Sequence, residues 1–406
     1  MALAAPASPP GTLNWRALAV HDRFLVRRLG RAGDWLVAVG ARSLHETPPA
    51  GQWSHGHVAY ALKDRLEPLR SRLPQEDDLP LCQWAVPHAV LRIGAGSAEV
   101  LHHGGDLPAA QQLLHELRRP SEGARAAPLT GWRLRTDREH YLAQVAKALA
   151  HIQRGDVYEL NYCVERSTRV PGWDPFAGFA RLMAANPAPY AAFHRCGDLF
   201  ALCASPERYL RIAQGRITAQ PMKGTRRRHA DPLEDARLAL ELAHDAKERS
   251  ENIMAVDVMR NDLSRVAAPR SVRVDELCGV HAYPHVHQMI STITAALDEG
   301  RTTWDAVRTS FPMASMTGAP KLRAMELIDE LEDMPRGLFS GTLGIVSPEG
   351  DTDLNVVIRT VTYNAATGRA SLITGSAITA GSDPALEWEE CALKADSVLN
   401  ALGHEG

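Results

Sequence analysis

Near the C-terminal end, Glu387, Glu390 and Lys394 stand at i, i+3 and i+7. On a helix that spacing puts all three on one face, where the two carboxylates can approach a shared cation. In isolation such a pair is more often a solvated charged face. Five further segments concentrate glycine, charge and small polar residues: Ser205-Pro-Glu-Arg208, Pro221-Met-Lys-Gly-Thr225, Glu251-Asn252 with Arg260-Asn-Asp262, Phe311 to Lys321, and Gly375-Ser-Ala-Ile378. A lysine beside glycine and threonine, as Lys223 is, is ordinarily an exposed surface residue. Glu207 lies 16 residues before Lys223, with Gly215 between two strand-like runs, so a hairpin can bring both to one place. Arg359, in Val356-Val-Ile-Arg-Thr360, carries a planar fork suited to a carboxylate, although a lone strand arginine usually faces water.

The positioning elements follow from periodicity and capping. Leu142, Val145, Ala146, Leu149 and Ile152 have helical spacing, and Gly155-Asp156 stops that helix before the strand-like run Val157 to Val164. Asp231 caps a helix that opens on Pro232 and runs toward Glu251, and Asp383-Pro384 opens a last helix reaching about Leu402. Residues 13–118 alternate short β-branched or aromatic runs with Gly/Pro turns and read as a strand-rich N-terminal lobe. The polar, proline-punctuated stretch 119–134 reads as a linker, 135–403 as the catalytic domain and 1–12 as a disordered leader.

A 406-residue chain with 45% hydrophobic residues supports a large core. A net charge of −3 offers no field for nucleic acid or an anionic membrane, and no run approaches the about 18 apolar residues of a membrane span. Six scattered cysteines without a C-x-x-C pair fit a reducing, cytoplasmic setting. His281, His285 and His287 do not make a convincing zinc site, because Pro284 breaks their periodicity.

Taken in order, these segments resemble the chorismate-utilising enzymes, a family that includes anthranilate synthase component I, aminodeoxychorismate synthase component I, and the isochorismate and salicylate synthases. The match is dense over 135–403 and fainter upstream, mainly His55 to Leu69. The resemblance implies an α+β fold of large antiparallel sheets packed as a sandwich with outer helices. It implies Mg²⁺ held by Glu251 and Glu390 with Glu387 close by, Lys394 near substrate and metal, and Arg359 on a chorismate carboxylate. Thr225, Ser315 and Thr317 match small polar substrate contacts, and the amides of Gly375, Ser376 and Ala377 match backbone donors. In the aminodeoxychorismate-forming branch the position of Lys223 is a covalent nucleophile and that of Glu207 its general acid. Ammonia would then replace the C4 hydroxyl of chorismate, supplied by a separate glutamine amidotransferase subunit, on a route to 4-aminobenzoate and folate. For attack, Lys223 must be neutral, which calls for desolvation or a cationic neighbour such as Arg226, Arg227 or Arg228.

Three departures separate this chain from the common pattern. Gln288 stands where many members carry an active-site histidine, Glu159 where glutamine is commoner, and Gly375-Ser-Ala replaces a glycine-rich run. Glu159 in place of a lysine base speaks against water as the nucleophile, and Gln288 speaks against an aromatised product. The alternatives are an anthranilate synthase component I or an isochorismate or salicylate synthase.

Overall fold

The computed structural model describes residues 13–30, 33–76, 79–120, 127–283 and 286–403. The expected leader 1–12 lies outside them, as do residues 121–126 of the expected linker. Seven strands precede that linker: β1 (Arg23–Leu29), β2 (Asp34–Val39), β3 (Ser43–His45), β4 (Ser54–Val58), β5 (Cys82–Val86), β6 (Ala89–Ile93) and β7 (Ala98–His102). From there the strands are β8 (Arg133–Leu134), β9 (Glu159–Arg169), β10 (Ala192–Cys196), β11 (Leu199–Cys203), β12 (Arg208–Ala213), β13 (Arg216–Ala219) and β14 (Met222–Arg227). The remainder are β15 (Arg273–Ala282), β16 (Val286–Ala296), β17 (Gly318–Ala319), β18 (Thr342–Val346), β19 (Thr352–Asn355), β20 (Thr360–Asn364) and β21 (Arg369–Thr379).

Among the described residues these strands form two antiparallel sheets. One runs β17-β9-β21-β20-β11-β10-β1-β2-β6-β7, and the other β14-β16-β13-β12-β19-β18-β4-β5-β3. Alternation along β1 explains why they stack. Leu25 joins Ala192, Ala201, Leu343 and Ile345 in the core between the sheets, while Phe24 and Val26 join Phe193, Phe200 and Phe179 on the outer face. Helices Leu107–Arg118, Pro175–Ala185 and Pro384–Leu399 cover that outer face. The expected sandwich with outer helices is therefore the observed architecture.

The sheets do not respect the expected 119–134 boundary. Residue Arg23 of β1 pairs with Cys196 of β10, and Val58 of β4 pairs with Thr342 of β18. The early strands thus complete both sheets of the later segment, covering edges that would otherwise be left unpaired. The helix expected from Asp231 toward Glu251 also differs. It ends at His244, and Asp245 caps a second helix, Ala246–Ser264, by accepting from the Glu248 amide. The last helix matches its expected caps, with Asp383 accepting from Ala385 and Leu386. Among the described residues no helix is long and apolar enough to cross a membrane.

Candidate active site

The hairpin expected around Gly215 forms: Ala213 pairs with Arg216 across a two-residue loop in which Gln214 and Gly215 both take positive φ, 51° and 72°. It carries the chain from Glu207, just before β12, round to β13 and on to Lys223 in β14. There the β14–β16 ladder slips between Lys223 and Thr225, with Gly224 at φ 73°. The Lys223 side chain is mostly buried, 10% exposed, and its Nζ donates to Glu159 Oε1 at 2.5 Å, with Glu251 Oε2 at 3.7 Å. Glu159 opens β9 of the other sheet, so the site spans one end of both layers.

The arginines that follow Lys223 in sequence are not the cationic neighbours that could help neutralise it. Burial pushes the Lys223 ammonium toward losing its proton, but Glu159, Glu251 and Glu207 outweigh it and hold the group above the ordinary lysine value. The arginines are committed elsewhere. Arg226 pairs with Asp245 at 2.7 Å and Arg228 with Asp235 at 2.7 Å, while Arg227 is exposed. Glu207 is shifted upward. Burial raises its carboxyl to about 7, against the pull of Ser315, Lys223 and Lys394. The Ser315 hydroxyl faces Glu207 but meets no partner within ordinary hydrogen-bond geometry.

The expected metal carboxylates converge from two helices, Glu251 from Ala246–Ser264 and Glu387 with Glu390 from Pro384–Leu399. Lysines stand between them. Lys247 Nζ lies 3.0 Å from Glu387 Oε1 and 3.8 Å from Glu251 Oε1, and Lys394 Nζ lies 2.5 Å from Glu390 Oε1. Among the described residues no three His, Cys, Asp or Glu side chains form a ready-made metal cage. The donor chemistry nonetheless fits a hard cation. Glu251 Oε1 and Glu387 Oε2 are buried without a hydrogen-bond partner, and burial raises the Glu251 carboxyl to about 7. Partial burial also pushes the half-exposed Glu390 up, but Lys394, Lys247 and Lys223 outweigh it and hold it below the ordinary range. Lys247 had a sequence signal that went unread: it precedes Glu251 by one helical turn.

The remaining expected residues divide. Arg359 is held at φ 51°, a left-handed conformation uncommon outside glycine, and Glu390 is its electrostatic neighbour. Lys394 Nζ donates to the Gly375 carbonyl at 2.9 Å. Gly375 is required by close approach, since a Cβ would sit 2.4 Å from Cys163 Sγ. β21 pairs with β9 along its whole length but with β20 only over Ala370–Leu372, so alternate amides around Gly375, Ser376 and Ala377 face an open edge. The side chains of Thr225, Thr317 and Ser376 are engaged within the protein: Thr225 donates to Gln288, Thr317 to the Met313 carbonyl, and Ser376 bonds Tyr141. The histidines do not converge. His281 pairs with Glu276 and His287 with Asp235, while His285 lies outside the described residues.

Two stacked antiparallel sheets with a lysine and a carboxyl cluster at one end define the class. The chain belongs to the chorismate binding enzymes, whose family model matches residues 32–400. It is 38% identical over 347 residues to aminodeoxychorismate synthase component 1 of Klebsiella aerogenes, covering 86% of this chain and 76% of that one. Anthranilate synthase component 1 of Haloferax volcanii is 42% identical over 298 residues, 71% of this chain and 56% of its own length. The solved anthranilate synthase component I of Streptococcus pneumoniae superposes with a TM-score of 0.77 at 26% identity, covering 93% of this chain and 92% of that one.

Proposed function

We propose that this protein aminates chorismate, replacing the C4 hydroxyl with the nitrogen of ammonia through a covalent bond to Lys223, to give 4-amino-4-deoxychorismate. The observation that carries the reading is a mostly buried lysine with Glu207 as an electrostatic neighbour, a carboxyl raised to about 7 and so able to hold a proton at neutral pH. Before attack a proton must leave Lys223, and Glu159 Oε1 at 2.5 Å is the nearest acceptor. The Lys223 nitrogen bonds to C2, both ring double bonds shift by one position, to C1=C6 and C4=C5, and the C4–oxygen bond breaks as Glu207 delivers its proton, releasing water. Ammonia then bonds to C4, both double bonds return to their original positions, the C2–nitrogen bond breaks to free neutral Lys223, and Glu159 gives back the proton it took. The proton shed by the incoming nitrogen returns Glu207 to its starting state.

Arg359 and the open edge of β21 supply donors for the substrate carboxylates. Glu251, Glu387 and Glu390 would hold Mg²⁺, which supplies positive charge against the ring carboxylate when bound. A separate glutamine amidotransferase is the proposed ammonia source, and the unpaired cysteines support a reducing, cytoplasmic setting. The test is product analysis after incubation with chorismate, Mg²⁺ and ammonium. The expected product is 4-amino-4-deoxychorismate; fluorescent anthranilate, or isochorismate, would overturn the assignment.

A further inference from the structure

The slip in the β14–β16 ladder has a specific support. Lys223 pairs with Met289 and Thr225 with the next residue back, Gln288, which leaves Gly224 as an extra residue on its strand. Its positive φ favours glycine, and a Cβ there would meet Leu242 Cδ1 at 2.9 Å and Glu248 Oε2 at 3.0 Å. A bulge of this kind re-aims the neighbouring side chain, and the neighbour is the proposed nucleophile. Gln288, buried opposite the bulge, uses both ends of its amide on it. Its Nε2 donates to the Gly224 carbonyl at 2.7 Å, and its Oε1 accepts from the Thr225 hydroxyl at 3.0 Å. The amide orientation is fixed by chemistry, because a carbonyl can only accept and must face the NH₂ group.

We propose that Gln288 is a positioning residue, whose side-chain amide locks the Gly224 bulge and thereby fixes the direction in which Lys223 leaves the strand. The inference rests on Lys223 as nucleophile. Glu159 and Glu251 hold the far end of the lysine, and Gln288 holds its root; only the two together set where Nζ stands. The side chain required is one planar group with a donor and an acceptor. Glutamate keeps the acceptor for Thr225 but cannot donate to Gly224, and methionine of similar length keeps neither.

Steady-state kinetics for chorismate and thermal melts on wild type, Gln288→Met, Gln288→Glu and Lys223→Ala test this. For Gln288→Met the expected result is a kcat lower by on the order of tenfold or more, a chorismate KM within about twofold, and an unchanged cooperative melt. Gln288→Glu should lose kcat in the same way. A fully active Gln288→Met beside a silent Lys223→Ala would overturn the clamp alone, as would a loss that appears mainly in KM. If Gln288→Met fails to melt cooperatively, Gln288→Glu decides, and wild-type turnover in a folded Gln288→Glu overturns the clamp. Wild-type turnover by Lys223→Ala would remove the nucleophile itself, and the clamp with it.

Discussion

At the scale of single residues the chemistry depends on where protons sit. In the proposed mechanism Glu207 must be protonated to release the C4 hydroxyl as water, and burial places its titration near pH 7. Turnover should therefore fall as pH rises through about 7, and Glu207→Gln should lower kcat by roughly 10²- to 10⁴-fold. A flat kcat profile between pH 6 and 8 would contradict the role. The same shift bears on stability with a definite sign. A carboxyl raised from 4.5 to about 7 on folding contributes stability that is full below 4.5 and lost as pH rises through about 7. Lys223, Glu207, Glu251 and Glu390, which the fold brings to one place, were singled out in the sequence because their types and order match one chemistry. Their charge states were not legible there. Three arginines follow Lys223 in sequence, yet the groups that surround it are Glu159, Glu251 and Glu207, drawn from distant segments.

At the scale of elements, a buried ion pair ties the site's supports together. Arg336 is buried and uses all five of its N–H donors: Glu332 takes two, and Met316 O, Asn161 O and Ser340 Oγ take one each. It thereby joins β9, which begins at Glu159, to the loop that presents Ser315. Arg336→Met should leave Glu332 buried without its cation and cost about 3–5 kcal/mol, read as a lower urea midpoint. A midpoint within error of wild type would contradict this. Caps and hairpin were readable in advance from Asp231-Pro232, Asp383-Pro384 and Gly215, since each is a local rule. The bulge at Gly224 and the Glu332–Arg336 pair were not. Both depend on which strand or loop lies opposite, and that is set by packing alone.

At the scale of the whole molecule, strands from 23–102 and from 192–355 share both sheets. Cutting the chain at the 119–134 stretch would bare the β10 and β18 edges and remove Phe24 from the face of Phe193. Residues 135–403 alone should lack a cooperative melt and near-ultraviolet circular dichroism, while the full chain should show both. A fragment that melts cooperatively would restore the two-lobe reading. Composition and proline placement suggested that reading because they report local chain character, whereas sheet pairing between distant strands leaves no local mark in sequence.

The central claim is that Lys223 forms a bond to the substrate. Intact-protein and peptide mass spectrometry after mixing with chorismate and Mg²⁺, with ammonia withheld, reads that bond. The account predicts an adduct of chorismate less one water on Lys223 of the wild type and none on Lys223→Ala. An Lys223→Ala protein that aminates chorismate at the wild-type rate, or carries the same adduct elsewhere, would contradict it.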